Sequence, residues 1–147
     1  MILILLLTLA GEPRPMNVMI NDKVINLSIV DPAGNSTHLS QVIKDGFIFI
    51  LSPECRACQS AVNTINTQFK GNPSLVLVVG EEPIPGLNDL QAEYFNVSMA
   101  ALLPFEITTF PACLVYTNGK LAAAFHGNIE RNASMLIKAY QKKKTVP

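Results

Sequence analysis

The chain has no tryptophan and few charged residues, and this composition excludes several classes of protein before any motif is considered. Only 15% of its 147 residues are charged, eleven basic against eleven acidic, so no basic field exists to attract nucleic acid. Hydrophobic residues make up 49% of the chain, which favours a packed globule over disorder. Length and composition therefore predict a single globular domain that has no nucleic-acid partner.

The sequence also lacks an apolar run long enough to cross a membrane. Its first ten residues are apolar except for Thr8, but as a helix they would span only about 15 Å, and the hydrocarbon core is about 30 Å thick. Residues 1–11 have the length of a signal-peptide apolar region, although no Lys or Arg precedes them. We interpret them as a signal or anchor segment truncated at its start, with an ordinary N-terminal strand as the alternative. Residues 12–23 are interpreted as a linker and residues 24–147 as the domain. The expected location is extracytoplasmic, with membrane contact only through residues 1–11.

The centre of the chain carries the clearest pattern of secondary structure. Residues 47–51 form a continuous apolar run that is typical of a strand buried on both faces. Residues 58–69 then place apolar side chains on one helical face, and residues 75–79 form a second buried strand. Strand, helix and strand in this order predict a right-handed βαβ unit with parallel strands.

Shorter elements flank this unit and complete an α/β sandwich with a central mixed sheet. The predicted elements are strands over 24–30 and 37–39, a brief helix near 39–44, a helix over 87–95, strands over 113–116 and 121–125 joined by Asn118-Gly119, and a closing helix carrying Ala133, Leu136, Ile137 and Tyr140. The sheet thus combines a parallel βαβ half with an antiparallel hairpin.

Cysteine is scarce, yet two of the three cysteines are separated by only two residues at the predicted strand-to-helix junction. Residues three apart in the first helical turn lie close enough to form a disulfide with little backbone distortion. Cys55 would sit where helix N–H groups have no intrahelical partner, and these donors stabilise a thiolate. The pattern predicts Cys55 as a nucleophile and Cys58 as the thiol that resolves a mixed disulfide.

Other uses of the same cysteines stay open at this point. A zinc site would need further ligands, for which the candidates are Cys113, His38 and His126. A Cu(I) carrier could use both cysteines with His126, and a purely structural pair is the third alternative. We expect Cys113 to be a core residue and the two histidines to lie at the surface or at strand ends.

Two separated motifs resemble the TlpA/ResA-like branch of the thioredoxin superfamily. The first comprises Asn26–Gly34, Leu39-Ser40 and Phe47–Cys58, and the second comprises Thr109–Tyr116, Asn118-Gly119-Lys120 and Gly127. The stretch Phe49–Cys58 is also similar to MauD-type maturation proteins. The resemblance covers most of residues 24–140 and implies a thioredoxin-like three-layer sandwich.

The resemblance also implies an activity, that of a thiol–disulfide oxidoreductase that exchanges disulfides with protein partners and needs no cofactor. A reductant or maturation helper is favoured over a general oxidant. The family implies that Pro111 is a cis-proline facing the cysteines, where it leaves backbone groups free to pair with a substrate strand. We expect Glu54, Arg56, Ala57 and Phe110 to contact the substrate. A metal-delivery module and a redox-silent binding domain are the rival functions.

Three departures from the family pattern bear on the chemistry. Glu54 stands where the family usually has tryptophan, and Phe110 stands where threonine or valine usually precedes the cis-proline. Phe49 occupies the position at which thioredoxins carry a buried acid. The expected proton acceptor for Cys58 is therefore missing.

Overall fold

The structure is a computed structural model that describes residues 14–15 and 26–145. The predicted signal or anchor segment lies outside the described residues, and so does the predicted linker except for Arg14–Pro15, which forms a short strand. Among the described residues, no helix has the length and apolarity needed to cross a bilayer.

Eight strands form one mixed sheet in the described part of the chain. They are β1 (Arg14–Pro15), β2 (Ser28–Val30), β3 (Ser36–His38), β4 (Gly46–Leu51), β5 (Ser74–Val79), β6 (Glu93–Val97), β7 (Ala112–Thr117) and β8 (Lys120–His126). Their order across the sheet is β1-β8-β7-β4-β5-β6-β2-β3. The pairs β4–β5 and β5–β6 are parallel, and the remaining pairs are antiparallel.

Three α-helices accompany the sheet: α1 (Arg56–Gln68), α2 (Met99–Leu102) and α3 (Ile129–Thr145). Short 3-10 turns occupy Leu39–Gln41, Leu87–Asp89 and Leu103–Phe105. The predicted βαβ unit is β4-α1-β5, and the predicted hairpin is β7-β8 with Asn118 in a left-handed conformation at its turn.

The core lies on both faces of the sheet because β4 is buried along its whole length. Phe47, Phe49 and Leu51 pack in one apolar cluster with side chains of α1 and α3. Ile48 and Ile50 point to the opposite face, where α2 and the chain around it cover them. A strand enclosed in this way has no polar face, which explains its unbroken apolar run. The predicted three-layer sandwich is confirmed, with short helical segments and loops as its third layer.

The helix predicted over residues 87–95 is wrong. Leu87–Asp89 makes a single 3-10 turn, and β6 follows it as the third parallel strand. Leu87, Leu90 and Tyr94 have a spacing that imitates one helical face. The deciding interaction is non-local, because Phe95 lies opposite Leu77 in the neighbouring strand and is buried there. The helix predicted near 39–44 is likewise only the turn Leu39–Gln41.

One hydrogen bond ties the closing helix to the start of β4. The Tyr140 hydroxyl donates to Asp45 Oδ2 at 2.6 Å in a partly buried position. We expect Tyr140→Phe to lower the free energy of unfolding by about 1–3 kcal/mol, since this bond reaches a charged acceptor. Tyr94→Phe is the matched control, with an expected change below about 0.5 kcal/mol because Tyr94 is half-exposed. Urea unfolding of both variants measures the difference, and equal losses would contradict the assigned role of Tyr140.

Candidate active site

The CxxC pair, Cys55 and Cys58, lies where the central strand passes into the first helix. After β4 ends at Leu51, the turn 52–54 leads into Cys55, which is the N-cap residue of α1 with extended backbone angles (φ −91°, ψ 116°). The Cys58 N–H donates a hydrogen bond to Cys55 Sγ at 3.1 Å. The sulfur thus takes the place of the side-chain oxygen that usually accepts at a helix N-cap. Cys55 therefore lies at a helix start, where its sulfur accepts from one amide of the first turn.

The two thiols have different environments. Cys55 is half-buried, whereas Cys58 is 0% exposed on the apolar face of α1. Burial raises the pKa of the Cys58 thiol, and a hydrogen bond to the Cys55 side chain raises it further. The Ser52 N–H, which donates to Cys58 Sγ at 3.4 Å, acts in the opposite direction. Cys58 is therefore a protonated thiol at neutral pH, while Cys55 is the sulfur that an incoming molecule can reach.

The segment Phe110–Pro111 lies beside Cys55 because of the strand register. Ala112, the first residue of β7, pairs with Ile50 near the end of β4. The peptide bond between Phe110 and Pro111 is cis, as the resemblance implies. The Cys55 thiol donates to the Phe110 carbonyl oxygen at 3.6 Å. Two paired strands thus bring this segment to Cys55 Sγ.

Gly127 fixes the far side of the same segment, since its N–H donates to the Pro111 carbonyl oxygen at 3.0 Å. Gly127 follows β8 directly, and its φ of 135° is a conformation that favours glycine. The residue that follows the hairpin therefore holds the carbonyl group directly after the cis-peptide.

The other predicted site residues surround the pair or lie apart from it. Glu54 and Arg56 are exposed on either side of Cys55, and Ala57 is half-buried in the first turn of α1. The expectation that Cys113 is a core residue is confirmed, since it is fully buried in β7, and burial raises the pKa of its thiol.

The two histidines lie at strand ends, as expected. His38 is the last residue of β3 and His126 the last residue of β8. Over residues 14–15 and 26–145, no three His, Cys, Asp or Glu side chains cluster closely enough to form a metal site.

The position of the missing acid is filled by aromatic packing. Phe49 is fully buried, and its ring lies edge-on to Phe69 with centroids 4.8 Å apart. It also stacks on Phe47 at 6.0 Å. Phe49 and Cys58 belong to the same apolar cluster. Phe49 is thus part of the core and cannot accept a proton from Cys58.

A groove of about 470 Å³ begins next to the CxxC pair. Half-buried apolar side chains line it (Pro53, Val79, Met99 and Phe110), together with three exposed carboxylates (Glu54, Glu81 and Glu82). We call this feature the acidic groove.

Sequence reasoning missed most of the acidic groove, although one signal was available. β4 and β5 are parallel neighbours, so the residues that follow their carboxyl ends meet at one edge of the sheet. The Glu81-Glu82 pair follows β5 just as Glu54 follows β4. The predicted parallel βαβ unit therefore already implied that these carboxylates lie together.

Comparisons with known proteins give structural matches only. No protein-family model and no curated protein sequence matches the chain. A secreted disulfide oxidoreductase of Mycobacterium tuberculosis, homologous to E. coli DsbE, is similar with a TM-score of 0.63 at 11% identity, over 82% of this chain and 98% of that one. A secreted thiol–disulfide isomerase of Corynebacterium glutamicum is similar with a TM-score of 0.58 at 14% identity. The match covers 79% of this chain and 82% of that one.

A third similar structure is the thioredoxin domain of a thiol–disulfide oxidoreductase from Bacteroides vulgatus, with a TM-score of 0.53 at 16% identity, over 81% of this chain and 98% of that one. At these identities the matches establish the fold alone. The chain has the thioredoxin-like fold that its two motifs predict.

Proposed function

We propose that the chain is a thiol–disulfide oxidoreductase of the TlpA/ResA-like branch, which exchanges disulfides with protein partners through Cys55 and Cys58. The observation that carries this proposal is the geometry of the CxxC pair. An accessible sulfur caps a helix and accepts an amide hydrogen bond at 3.1 Å, while a buried thiol lies one turn further on. Such a pair supplies an attacking and a resolving sulfur from one rigid element.

The reaction transfers two electrons, and for each substrate disulfide that is broken one disulfide forms in the chain. The Cys55 thiolate attacks one sulfur of a substrate disulfide, and the other substrate sulfur leaves and takes up a proton. Cys58 then loses its proton and attacks Cys55 Sγ, which expels the second substrate sulfur. The substrate is reduced to a dithiol, and the chain is oxidised to a Cys55–Cys58 disulfide. A dithiol protein of the same redox class must reduce the chain again before the next cycle.

The surroundings of Cys55 support a protein substrate. The Phe110 carbonyl lies next to the sulfur, and an extended segment of a substrate can pair with such a backbone group. In this proposal Pro111 shapes the site, and Glu54, Arg56, Ala57 and Phe110 form its contact surface.

We also propose an extracytoplasmic location. The apolar start of the sequence supports it, and two of the similar structures are of secreted proteins. A protein held outside the cytoplasm can sustain a disulfide cycle. Labelling of intact cells with a membrane-impermeant thiol reagent tests this location, since only an external Cys55 would react.

An exchange assay tests the activity itself. The reduced chain should convert a disulfide-bonded substrate protein to the dithiol while Cys55 and Cys58 become an intramolecular disulfide, identified by mass spectrometry. We expect Cys55→Ser to lower the rate about a thousandfold or more, since no other exposed thiol can attack. Cys113→Ala should keep the rate, because Cys113 is buried in β7. Unchanged activity in Cys55→Ser would refute the proposal.

Two further measurements separate the alternatives. A reduction potential near about −270 mV for the Cys55–Cys58 couple would fit a reductant, and one near about −120 mV an oxidant. The metal content of chain purified under reducing conditions tests a carrier of Cu(I) or zinc. Stoichiometric metal that shields both thiols from alkylation would favour that second function, and metal-free chain that cycles would favour exchange.

A further inference from the structure

The acidic groove is continuous with the site of sulfur attack. Glu54 is the neighbour of Cys55 in the chain, and the Phe110 carbonyl lies 3.6 Å from Cys55 Sγ. Both residues also line the groove. A polypeptide that brings one of its sulfurs to Cys55 therefore has its adjoining residues next to this groove.

The charge of the groove is local, because its lining holds carboxylates and no basic side chain from the described ranges. Three of the eleven acidic residues of the chain line it, and none of the basic residues in the described ranges does. Within the same ranges, no ion pair joins Glu54, Glu81 or Glu82 to a cation. The net charge of the whole chain is zero, so this negative surface is a feature of the groove and not of the protein at large.

The lining has an apolar part and a negatively charged part, and one kind of peptide can bind to both. The half-buried faces of Val79, Met99 and Phe110 offer apolar contact, while the carboxylates lie exposed beside them. Lysine and arginine combine an apolar stem with a cationic end, and they match both parts of such a surface. An acidic peptide would bring like charges together inside the groove, where no basic side chain of the described ranges lies; Arg56 follows Cys55 on α1 and is not part of the lining.

We propose that the acidic groove selects protein disulfides whose reacting cysteine is flanked by a lysine or arginine next to an apolar residue. This inference rests on the proposed exchange activity and names the substrate class of that site. Because the carboxylates are exposed, the selection acts mainly on the rate of encounter, and it weakens as salt screens the charges.

A peptide series tests the proposal. Three mixed-disulfide peptides differ only in having Lys, Gln or Glu beside the cysteine, and the second-order rate of transfer to Cys55 is measured for each. In low salt we expect the Lys peptide to react about fivefold to tenfold faster than the Glu peptide. In about 1 M salt the ratio should fall close to one.

Variants in which glutamine replaces glutamate show which carboxylates cause the preference for lysine. Glu81→Gln with Glu82→Gln should remove most of the Lys preference in low salt. The control is Asp89→Asn with Glu93→Gln, which changes the net charge equally. Asp89 ends the 3-10 turn before β6, Glu93 is the first residue of β6, and neither lines the groove, so this variant should keep the preference.

The possible failures of this experiment are distinguishable. If all three peptides react equally fast with the natural chain, the groove proposal is overturned while the exchange activity stands. The same holds if the control pair loses the preference as fully as the Glu81 and Glu82 pair. If no peptide is transferred to Cys55, the proposed function itself fails.

Discussion

Cys58→Ser is expected to hold its protein partners as covalent adducts through Cys55. The first attack needs only the half-buried Cys55, so the mixed disulfide still forms. The second attack needs the sulfur at position 58, and serine cannot displace a thiolate from a disulfide. Serine keeps a polar atom near the Ser52 N–H, which in the natural chain donates to Cys58 Sγ at 3.4 Å. The variant should therefore fold normally and stop at the intermediate.

The size of the effect follows from the loss of an intramolecular nucleophile. Well-oriented groups reach effective concentrations of about 10⁵ M or more, so an adduct resolved only by millimolar external thiol should last about a thousandfold longer or more. Non-reducing electrophoresis followed by mass spectrometry detects the adducts and identifies the attached cysteine. Cys55→Ser, which keeps Cys58, is the matched control and should trap nothing. Identical behaviour of the two variants would refute the assignment of attacking and resolving thiols.

The β4-α1-β5 unit could be predicted from sequence because its patterns are local and strong. A strand buried on both faces has no polar positions, and α1 has its apolar side chains on one face. The N-cap position of Cys55 follows from the same junction, since Pro53 lies just before the helix starts. These features need no knowledge of distant residues, which explains why the sequence and the structure agree there.

The errors arose where distant pairing decides the outcome. β6 exists because β5 offers it an open edge, and the spacing of Leu87, Leu90 and Tyr94 alone favours a helix. β1 is a similar case, since Arg14–Pro15 pairs with the end of β8 more than a hundred residues away. The acidic groove has the same origin, because its carboxylates come from two separate loops. Local propensity carries no signal for any of these contacts.

The packing around Phe49 bears on the chemistry of Cys58. Phe49 fills its position with a ring that packs against Phe69 and Phe47, and the same cluster contains Cys58. A carboxyl group placed there would be buried beside aromatic rings, which is costly. Phe49 thus adds to the core packing and offers no proton acceptor to Cys58.

The rate at which Cys58 resolves a mixed disulfide is therefore expected to rise steeply with pH. Only the thiolate attacks, and burial, the largest cause, raises the pKa of the Cys58 thiol, followed by the hydrogen bond to Cys55. In the mixed disulfide Cys55 carries no charge, but Cys58 is still enclosed in the core. Below a raised pKa, the thiolate fraction grows tenfold for each unit of pH. Between about pH 6 and 8 the rate should increase about a hundredfold without reaching a plateau.

Stopped-flow release of a chromophoric thiol from Cys55 measures this step directly. The intramolecular phase should be absent from Cys58→Ser at every pH, which separates it from hydrolysis and from attack by external thiols. A carboxylate near Cys58 would instead accept the proton internally and make the rate level off near neutral pH. A pH-independent rate over this range would show that another group takes the place of the missing acid. A tenfold rise per pH unit would show that the proton of Cys58 leaves to solvent, as the aromatic packing around Phe49 predicts.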